Sequence, residues 1–177
     1  MSYTISLLPL SADLHMAALQ EVYEATPGYW AMYHLLVPPA DQAERDLAEA
    51  VATPGRTMMG IVKPVERGNA AAGAELIGLV DFRLHWPADQ TASLGMIMIA
   101  EAYQRQGLGT KAWYTLRPWL TNQAGMTTVR LTVEQFNHGA LAFFQRQGFT
   151  LTGEANRVKV GAKFVRLLAM EQTLGSS

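Results

Sequence analysis

The sequence predicts an α/β chain whose helices pack on one mixed sheet, in the order β-α-α-β-β-β-α-β-α-β-β. Three strand-like runs, Arg56 to Lys63, Leu76 to Leu84 and Thr91 to Ile99, follow one another across short connections, which favours antiparallel pairing. After Ile99 comes a polar connection, and Gly107-Leu108-Gly109 then opens an amphipathic segment. Beyond it, strand and helix patterns alternate, the Val129, Leu131, Val133 alternation being followed by helically spaced Ala140, Phe143 and Phe144.

The 177 residues suffice for one domain and are short for two. Hydrophobic residues make up 49% and charged residues 16%, which excludes a disordered or collagen-like chain. With no cysteine there is no disulfide framework, thiolate nucleophile or thiolate metal site, and no metal is expected. Met1-Ser2-Tyr3-Thr4 lacks the basic start of a secretory signal, and no apolar run approaches the roughly 20 residues that span a bilayer. A cytoplasmic protein with no membrane partner is the expectation. The net charge of -1 argues against general nucleic-acid binding. Residues 1–99 carry five Lys/Arg against eleven Asp/Glu, and residues 100–177 nine against four. A basic half holding the glycine loop suits a polyanionic ligand and an acidic half a cationic one, although scatter in solvated charge gives the same count.

Each element has a local reason. Thr4 to Leu8 is the first strand, and Ser11 stands as N-cap of a helix over Ala12 to Ala25, with Leu14, Ala18 and Val22 on one face. Thr26-Pro27-Gly28 ends that helix before the aromatic stretch Tyr29-Trp30-Ala31-Met32-Tyr33-His34. A second helix covers Asp41 to Val51, where Asp41 and Glu44 have capping-box spacing. Glu66 to Gly73 reads as a hairpin loop, Gly78 as a bulge, and Pro87-Ala88-Asp89 as the turn into Thr91. Leu108, Ala112, Trp113, Leu116 and Leu120 mark a helix face, with Pro118 kinking or ending it. Thr128 to Val133 is a half-buried strand, and Asn137 caps a helix through Gln147 that Gly148 stops. Phe149 to Gly153 and Phe164 to Met170 supply the last strands before a frayed Gly-Ser-Ser tail.

Backbone N–H groups at a helix start lack intrahelical partners and sit at the positive end of the dipole, so a glycine-lined start can cradle phosphate. Gly107-Leu108-Gly109-Thr110-Lys111-Ala112 fits the G-x-G-x-x-A dinucleotide pattern, with Glu134 as the ribose acid. In that fold the glycines follow the strand directly, whereas the seven residues Ala100 to Gln106 intervene here. A Walker loop fails for want of Gly-Lys-Ser/Thr. Gln104-Arg105-Gln106-Gly107-Leu108-Gly109 instead resembles the Gln/Arg-x-x-Gly-x-Gly/Ala signature of the GNAT superfamily of acyl-CoA-dependent acyltransferases. Asn137-x-x-Ala140-x-x-Phe143-Phe144-x-x-x-Gly148-Phe149 resembles that family's downstream helix and strand.

The resemblance implies a mostly antiparallel sheet splayed at the cofactor site, with helices on both faces, in a single domain over residues 1–177. Residues 1–93 would be the acceptor side, 94–149 the acyl-CoA core and 150–172 a C-terminal hairpin. It implies acetyl-CoA, or another acyl-CoA, as cofactor. The pyrophosphate would lie on amides of Arg105, Gln106, Gly107, Leu108, Gly109 and Thr110, led in by Gln104. Ile97, Met98 and Ile99 would pair with the pantetheine amides like a neighbouring strand. Asn137 and Phe144 would meet the cofactor from the other side, and Lys111 or Arg105 an outer phosphate unless they only line a solvated face. Many members pair, so a homodimer joins the expected partners.

The implied reaction is acetyl transfer to an amine of a small molecule or peptide by direct attack. An ammonium cannot attack, so a base must first remove its proton. Glu134, Asp81 and His85 are the candidates, the last two spaced to share one face of the central strand. Glu134 can equally cap a helix, Asp81 pair with Arg83 or Arg130, and His85 bond within a turn. Where many members have a tyrosine that protonates the leaving thiolate, this chain has Phe144. Tyr103, Tyr114 and His138 are other donors, unassisted departure is a second route, and a non-catalytic acyl-CoA-binding module is the alternative function. Tyr29, Trp30, Tyr33 and Trp86, with His34, are the aromatic candidates for the acceptor pocket, or else core.

Overall fold

The computed structural model describes residues 4–67 and 70–175; the start at 1–3, the Gly68-Asn69 tip of the expected loop and the final Ser176-Ser177 lie outside the described residues. The elements are β1 (Ser6–Pro9), α1 (Ala12–Glu24), α2 (Pro27–Ala31), α3 (Gln42–Ala52), β2 (Arg56–Arg67), β3 (Ala70–Arg83), β4 (Thr91–Ile99), a 3-10 turn (Glu101–Tyr103), α4 (Leu108–Asn122), β5 (Thr128–Glu134), α5 (His138–Arg146), β6 (Thr150–Val160) and β7 (Lys163–Thr173). The strands form a seven-stranded mixed sheet in the order β1-β2-β3-β4-β5-β7-β6. The β1–β2, β5–β7 and β6–β7 ladders are antiparallel, and β4 and β5 are parallel. That parallel ladder pairs only Thr91–Ser93 with Thr128–Arg130, short for strands of nine and seven residues.

The expected element order holds, with a short α2 and the 3-10 turn added. Several local expectations are corrected. The Glu66 to Gly73 loop is largely strand, because β2 reaches Arg67 and β3 starts at Ala70. Of the expected face Val22 is buried, but Leu14 is 80% exposed, and α1 buries Leu19 and Tyr23 beside Val22. Ser11 occupies the N-cap of α1 without a side-chain cap, its amide donating to His15 Nδ1 at 3.0 Å. Asp41 forms no capping box, since its carboxylate pairs with Arg45 at 3.2 Å. Pro118 does not end α4; it sits on an exposed face, where water can satisfy the carbonyl that lost its partner.

The chain forms two compact units, Met1–Phe82 with Met96–Leu116, and Arg83–Gly95 with Arg117–Ser177. In the first, α1, α2 and α3 bury Leu19, Val22, Tyr23, Trp30, Ala43 and Leu47 against Met58 of β2, Leu79 of β3 and Met98 of β4. In the second, β7 lies between β5 and β6, and Arg130 of β5 pairs with Glu154 of β6 and, at 3.5 Å, with Glu171 of β7. Here α5 stops as expected: Gly148 takes φ 93 and Phe149 N–H donates back to Phe144 C=O at 3.0 Å.

Gly78 serves a closer purpose than a bulge. A Cβ built on it would stand 2.3 Å from the Met98 carbonyl oxygen, so β3 and β4 approach only because a side chain is missing there. Gly78→Ala should lower stability by about 1–3 kcal/mol through overpacking against backbone that cannot swing aside. Urea unfolding measures it, and an unchanged midpoint would contradict the close approach.

Candidate functional site

Between β4 and α4 the backbone enters the left-handed region twice, at Arg105 (φ 59) and Gly107 (φ 75). Glycine adopts this freely; for arginine it costs roughly 1–2 kcal/mol, so the surrounding contacts must hold it. Alternation of this kind turns successive N–H groups toward one side and makes an anion-binding concavity. Lys111 N–H donates to Gly107 C=O, so the amides of Leu108 and Gly109 come before the first bond of the α4 ladder, at its positive end. Leu108, 2% exposed, anchors the helix start while Arg105, Gln106 and Gly107 stay exposed. Nothing lies within 4 Å of a Cβ built on Gly107, so the space beside the loop is open to a ligand.

The stretch before this loop is fastened at many points. Ala100 N–H donates to Ile77 C=O of β3, Gln104 Nε2 to Ile99 C=O at 2.8 Å, and Gln106 Nε2 to Ala102 C=O at 3.1 Å. Met98 C=O abuts Gly78 of β3, so the alternating carbonyls of Ile97 and Ile99 face the other edge of β4. Tyr103 donates its hydroxyl proton to Glu75 Oε1 at 2.6 Å, Lys63 Nζ meets Glu75 Oε2 at 2.9 Å, and that ammonium lies 4.9 Å from the Tyr103 ring centroid. Tyr103, an expected proton donor, thus already has its proton engaged, and the bond to the Glu75 carboxylate raises its pKa.

In the other unit, Glu134 is the last residue of β5 rather than the first beyond it, half-buried and opposite Leu167 of β7. Asn137 caps α5, its side-chain oxygen accepting from Ala140 N–H at 3.1 Å. Phe144 packs edge-on against Phe149 and Phe143, with centroids 5.5 Å and 5.1 Å away. His138 opens α5, while Tyr114 belongs to the first unit and is 57% exposed.

Asp81 and His85 do not share a strand face. β3 ends at Arg83, and His85 (φ 53) sits in the following turn with Nδ1 2.6 Å from Asp89 Oδ1. Asp81 pairs with neither Arg83 nor Arg130 but with Arg56, which donates Nε to both carboxylate oxygens at 3.1 Å and 3.2 Å and an Nη to the second at 2.7 Å. Burial raises the Asp81 carboxyl against the opposing pull of Arg56, whose own pKa the pairing raises. Both oxygens are occupied, so proton capture by Asp81 would dismantle an internal ion pair.

The aromatics also divide. Tyr29 stacks edge-on to Trp30 and tilted to Tyr33. Trp30 is 7% exposed and donates its indole N–H to Tyr23 C=O, so it is core that backs the other two. Trp86 belongs to the other unit, 48% exposed, with the Arg83 guanidinium 4.4 Å from its ring centroid.

The model of the acetyltransferase (GNAT) family matches residues 19–149, from α1 through α5. The chain belongs to the GNAT acetyltransferase family. It is similar to a solved acetyltransferase from Thermus thermophilus, at 26% identity and TM-score 0.73 over 98% of this chain and 99% of that one. A probable GNAT acetyltransferase from Chromobacterium violaceum matches at 21% identity and TM-score 0.78, over 98% and 84%. Spermidine N-acetyltransferase from Vibrio cholerae, solved with CoA and spermine, matches at 15% and TM-score 0.71, over 96% and 95%. No curated protein matches. The chain is therefore an acyltransferase of a family that uses acetyl-CoA, and the open, left-handed loop at the start of α4 fits a pyrophosphate.

Among the described residues no helix is long and apolar enough to cross a membrane, and no group of three or more His, Asp or Glu could hold a metal ion. Sequence reasoning passed over Arg56, Glu75, Lys63 and Glu101 in this GNAT chain. No spacing rule links Tyr103 to Glu75, 28 residues earlier; only the strand pairing does.

The Tyr103 hydroxyl first, then Lys63, holds the Glu75 carboxyl below its ordinary 4.5. A depressed acid contributes stability above its unfolded value and loses it as pH falls through the folded one. The wild type should therefore lose more melting temperature than Glu75→Gln between neutral pH and a pH below 4.5. Equal losses would show that the contact does not depend on charge.

Proposed function

We propose that this GNAT enzyme transfers acetyl from acetyl-CoA to the amine of a small molecule or peptide by direct attack, its residues 1–177 acting as one acyltransferase domain. The observation that carries the reading is the doubly left-handed loop opening onto α4, since a pyrophosphate needs several convergent donors and a backbone free of Cβ where it approaches. Bound acetyl-CoA supplies a thioester whose carbonyl carbon accepts the amine.

Arg105, Gln106, Gly107, Leu108, Gly109 and Thr110 hold the pyrophosphate through their amides. Gln104 has its side chain engaged on Ile99 and shapes the entry. Ile97 and Ile99 pair with the pantetheine amides through the edge of β4 turned away from β3, and Met98 between them keeps its carbonyl toward β3. Asn137, with its oxygen used as a cap, offers its side-chain N–H group, and Phe144 offers ring surface.

Glu134 takes the proton that the acceptor's ammonium must lose before its nitrogen forms the C–N bond. Asp81 is the weaker base because Arg56 occupies both its oxygens, and His85 because its ring is engaged in a turn. As the C–N bond forms, the C–S bond breaks, the electron pair leaves on sulfur, and the second proton of the attacking nitrogen passes to solvent. Phe144 has no proton to give and the Tyr103 hydroxyl proton is engaged on Glu75, so the thiolate departs unassisted or takes a proton from Tyr114 or His138. Thiols of pKa about 8.5 are tolerable leaving groups near neutrality. Tyr29 and Tyr33, backed by Trp30, form one acceptor wall, and Trp86 contributes from its own turn. Among its fold neighbours are a spermidine and a ribosomal-protein-alanine N-acetyltransferase, so the fold carries both acceptor kinds.

Thiol release from acetyl-CoA across a panel of primary amines and N-terminal peptides tests the reading. At least one amine should be turned over, with the rate rising with pH as more of the acceptor is neutral amine, and Glu134→Gln should lower kcat by about 10²–10⁴. Cofactor binding without release from any amine would favour the binding-module alternative, and an unchanged pH–rate profile in Glu134→Gln would remove Glu134 as base.

A further inference from the structure

The β6–β7 hairpin runs on past the strand beside it. The β5–β7 ladder ends at Glu134 opposite Leu167, where Gln135 N–H donates to Arg166 C=O at 2.9 Å. The β6–β7 ladder continues through Arg157–Arg166, Val158–Val165, Lys159–Phe164 and Val160–Lys163, and among the described residues these rungs form a two-stranded arm. No acidic residue lies between Glu154 and Glu171, whereas the arm carries Arg157, Lys159, Lys163 and Arg166. The basic excess of the second half of the chain is therefore concentrated here rather than scattered. Among the described residues none of these four cations forms an ion pair.

Opposed residues of a ladder share a face, and faces alternate along a strand. Arg157, Lys159, Phe164 and Arg166 thus project to one side, and Val158, Val160, Lys163 and Val165 to the other. Arg157 and Arg166 stand directly opposite each other, a like-charge pairing that costs stability in a sheet. The Arg157 guanidinium lies 5.1 Å from the centroid of the Phe164 ring, itself 62% exposed. β6 is also the last strand of the sheet, so its outer edge has no ladder partner among the described residues. Arginine and lysine on such an edge disfavour pairing with a second copy, which would bring like charges together, and leave it open to a strand of opposite charge. Val158, 38% exposed, gives the other side of the edge an apolar surface that a nucleic acid backbone would leave unused.

We propose that the β6–β7 arm is a docking surface for an extended acidic segment of another protein, which adds as a strand to the outer edge of β6. Residues two apart on a strand point the same way at a spacing of roughly 7 Å. The segment therefore alternates acidic residues, facing Arg157 and Lys159 with Arg166 behind them, with apolar residues over Val158 and Val160. Backbone pairing holds it and the charges select it. Docking needs nothing on the α4 loop and stands apart from the acyl-CoA reading.

Fluorescence anisotropy of the whole chain with a labelled peptide of alternating Glu and Val tests this. The peptide should bind saturably at low salt, weaken as salt rises, and bind about tenfold or more tighter than its Lys-Val counterpart. Arg157→Glu should lose about tenfold in affinity. Arg157→Gln should also weaken binding while melting as the wild type does, because an exposed substitution changes stability little. Methylation of alternate peptide amides should abolish binding, since the edge then has no backbone partner. Three results would each overturn the proposal: no binding of the Glu-Val peptide, equal binding of a peptide with its Glu and Val residues in separate blocks, which marks a diffuse counter-ion effect, or tighter binding of a single-stranded oligonucleotide.

Discussion

The constraint on which the rest depends is the left-handed backbone at Arg105 and Gly107, held between a fastened turn and a buried helix start. Gly107 adopts the conformation without penalty, but Arg105 does not, and an exposed loop left to itself would relax. It is held because the residues before it have few free backbone or side-chain groups left. Gln104 is tied to Ile99, Gln106 to Ala102 and Tyr103 to Glu75, while Leu108 is sunk in the core. Each neutral bond contributes about 0.5–1.5 kcal/mol, so together they exceed the strain at one arginine. The donors at the start of α4 are therefore arranged before any anion arrives, and a preorganised donor set costs no reorganisation when charge is bound.

A second group of polar residues, larger in charge, does a different task. Tyr23 donates to Asp46 at 2.6 Å, and Arg56 reaches both Asp81 and Glu49. Burial and the neighbouring carboxylates push the Tyr23 hydroxyl far above its ordinary value, which keeps it protonated and donating. These contacts tie Tyr23 of α1 to Asp46 of α3, and Arg56 of β2 to Glu49 of α3 and Asp81 of β3, donor matched to acceptor. It illustrates why a perturbed acid in a GNAT enzyme is not by itself a catalytic one: Asp81 is shifted by burial, yet its oxygens are spent on Arg56.

What the sequence made legible follows from range. β4 appears over Thr91–Ile99 as its apolar run and flanking turn imply, and Asn137 and Gly148 bound α5 because caps and left-handed stops act within a few residues. The glycine loop was readable for the same reason. Faces and partners were less so. Leu14 fits a four-residue spacing as well as Leu19 does, and only packing against α3, β2 and β3 selects the latter. Asp81 has several arginines in the sequence to choose from, and Arg56 wins because strand pairing brings it there, 25 residues away. Glu101 carries no pattern at all, since its contact with Gly28 spans 73 residues.

The account stands on the loop, and calorimetry of CoA with the wild type and Gly107→Val tests it most directly. Nothing surrounds a Cβ at Gly107, so the substitution acts through the backbone, forcing a β-branched residue out of the left-handed region and scattering the donors. The wild type should bind CoA, and the variant should remain folded by circular dichroism while its affinity falls at least tenfold, a change of about 1.4 kcal/mol. Equal affinity in a folded variant would contradict the assignment of the pyrophosphate to this loop.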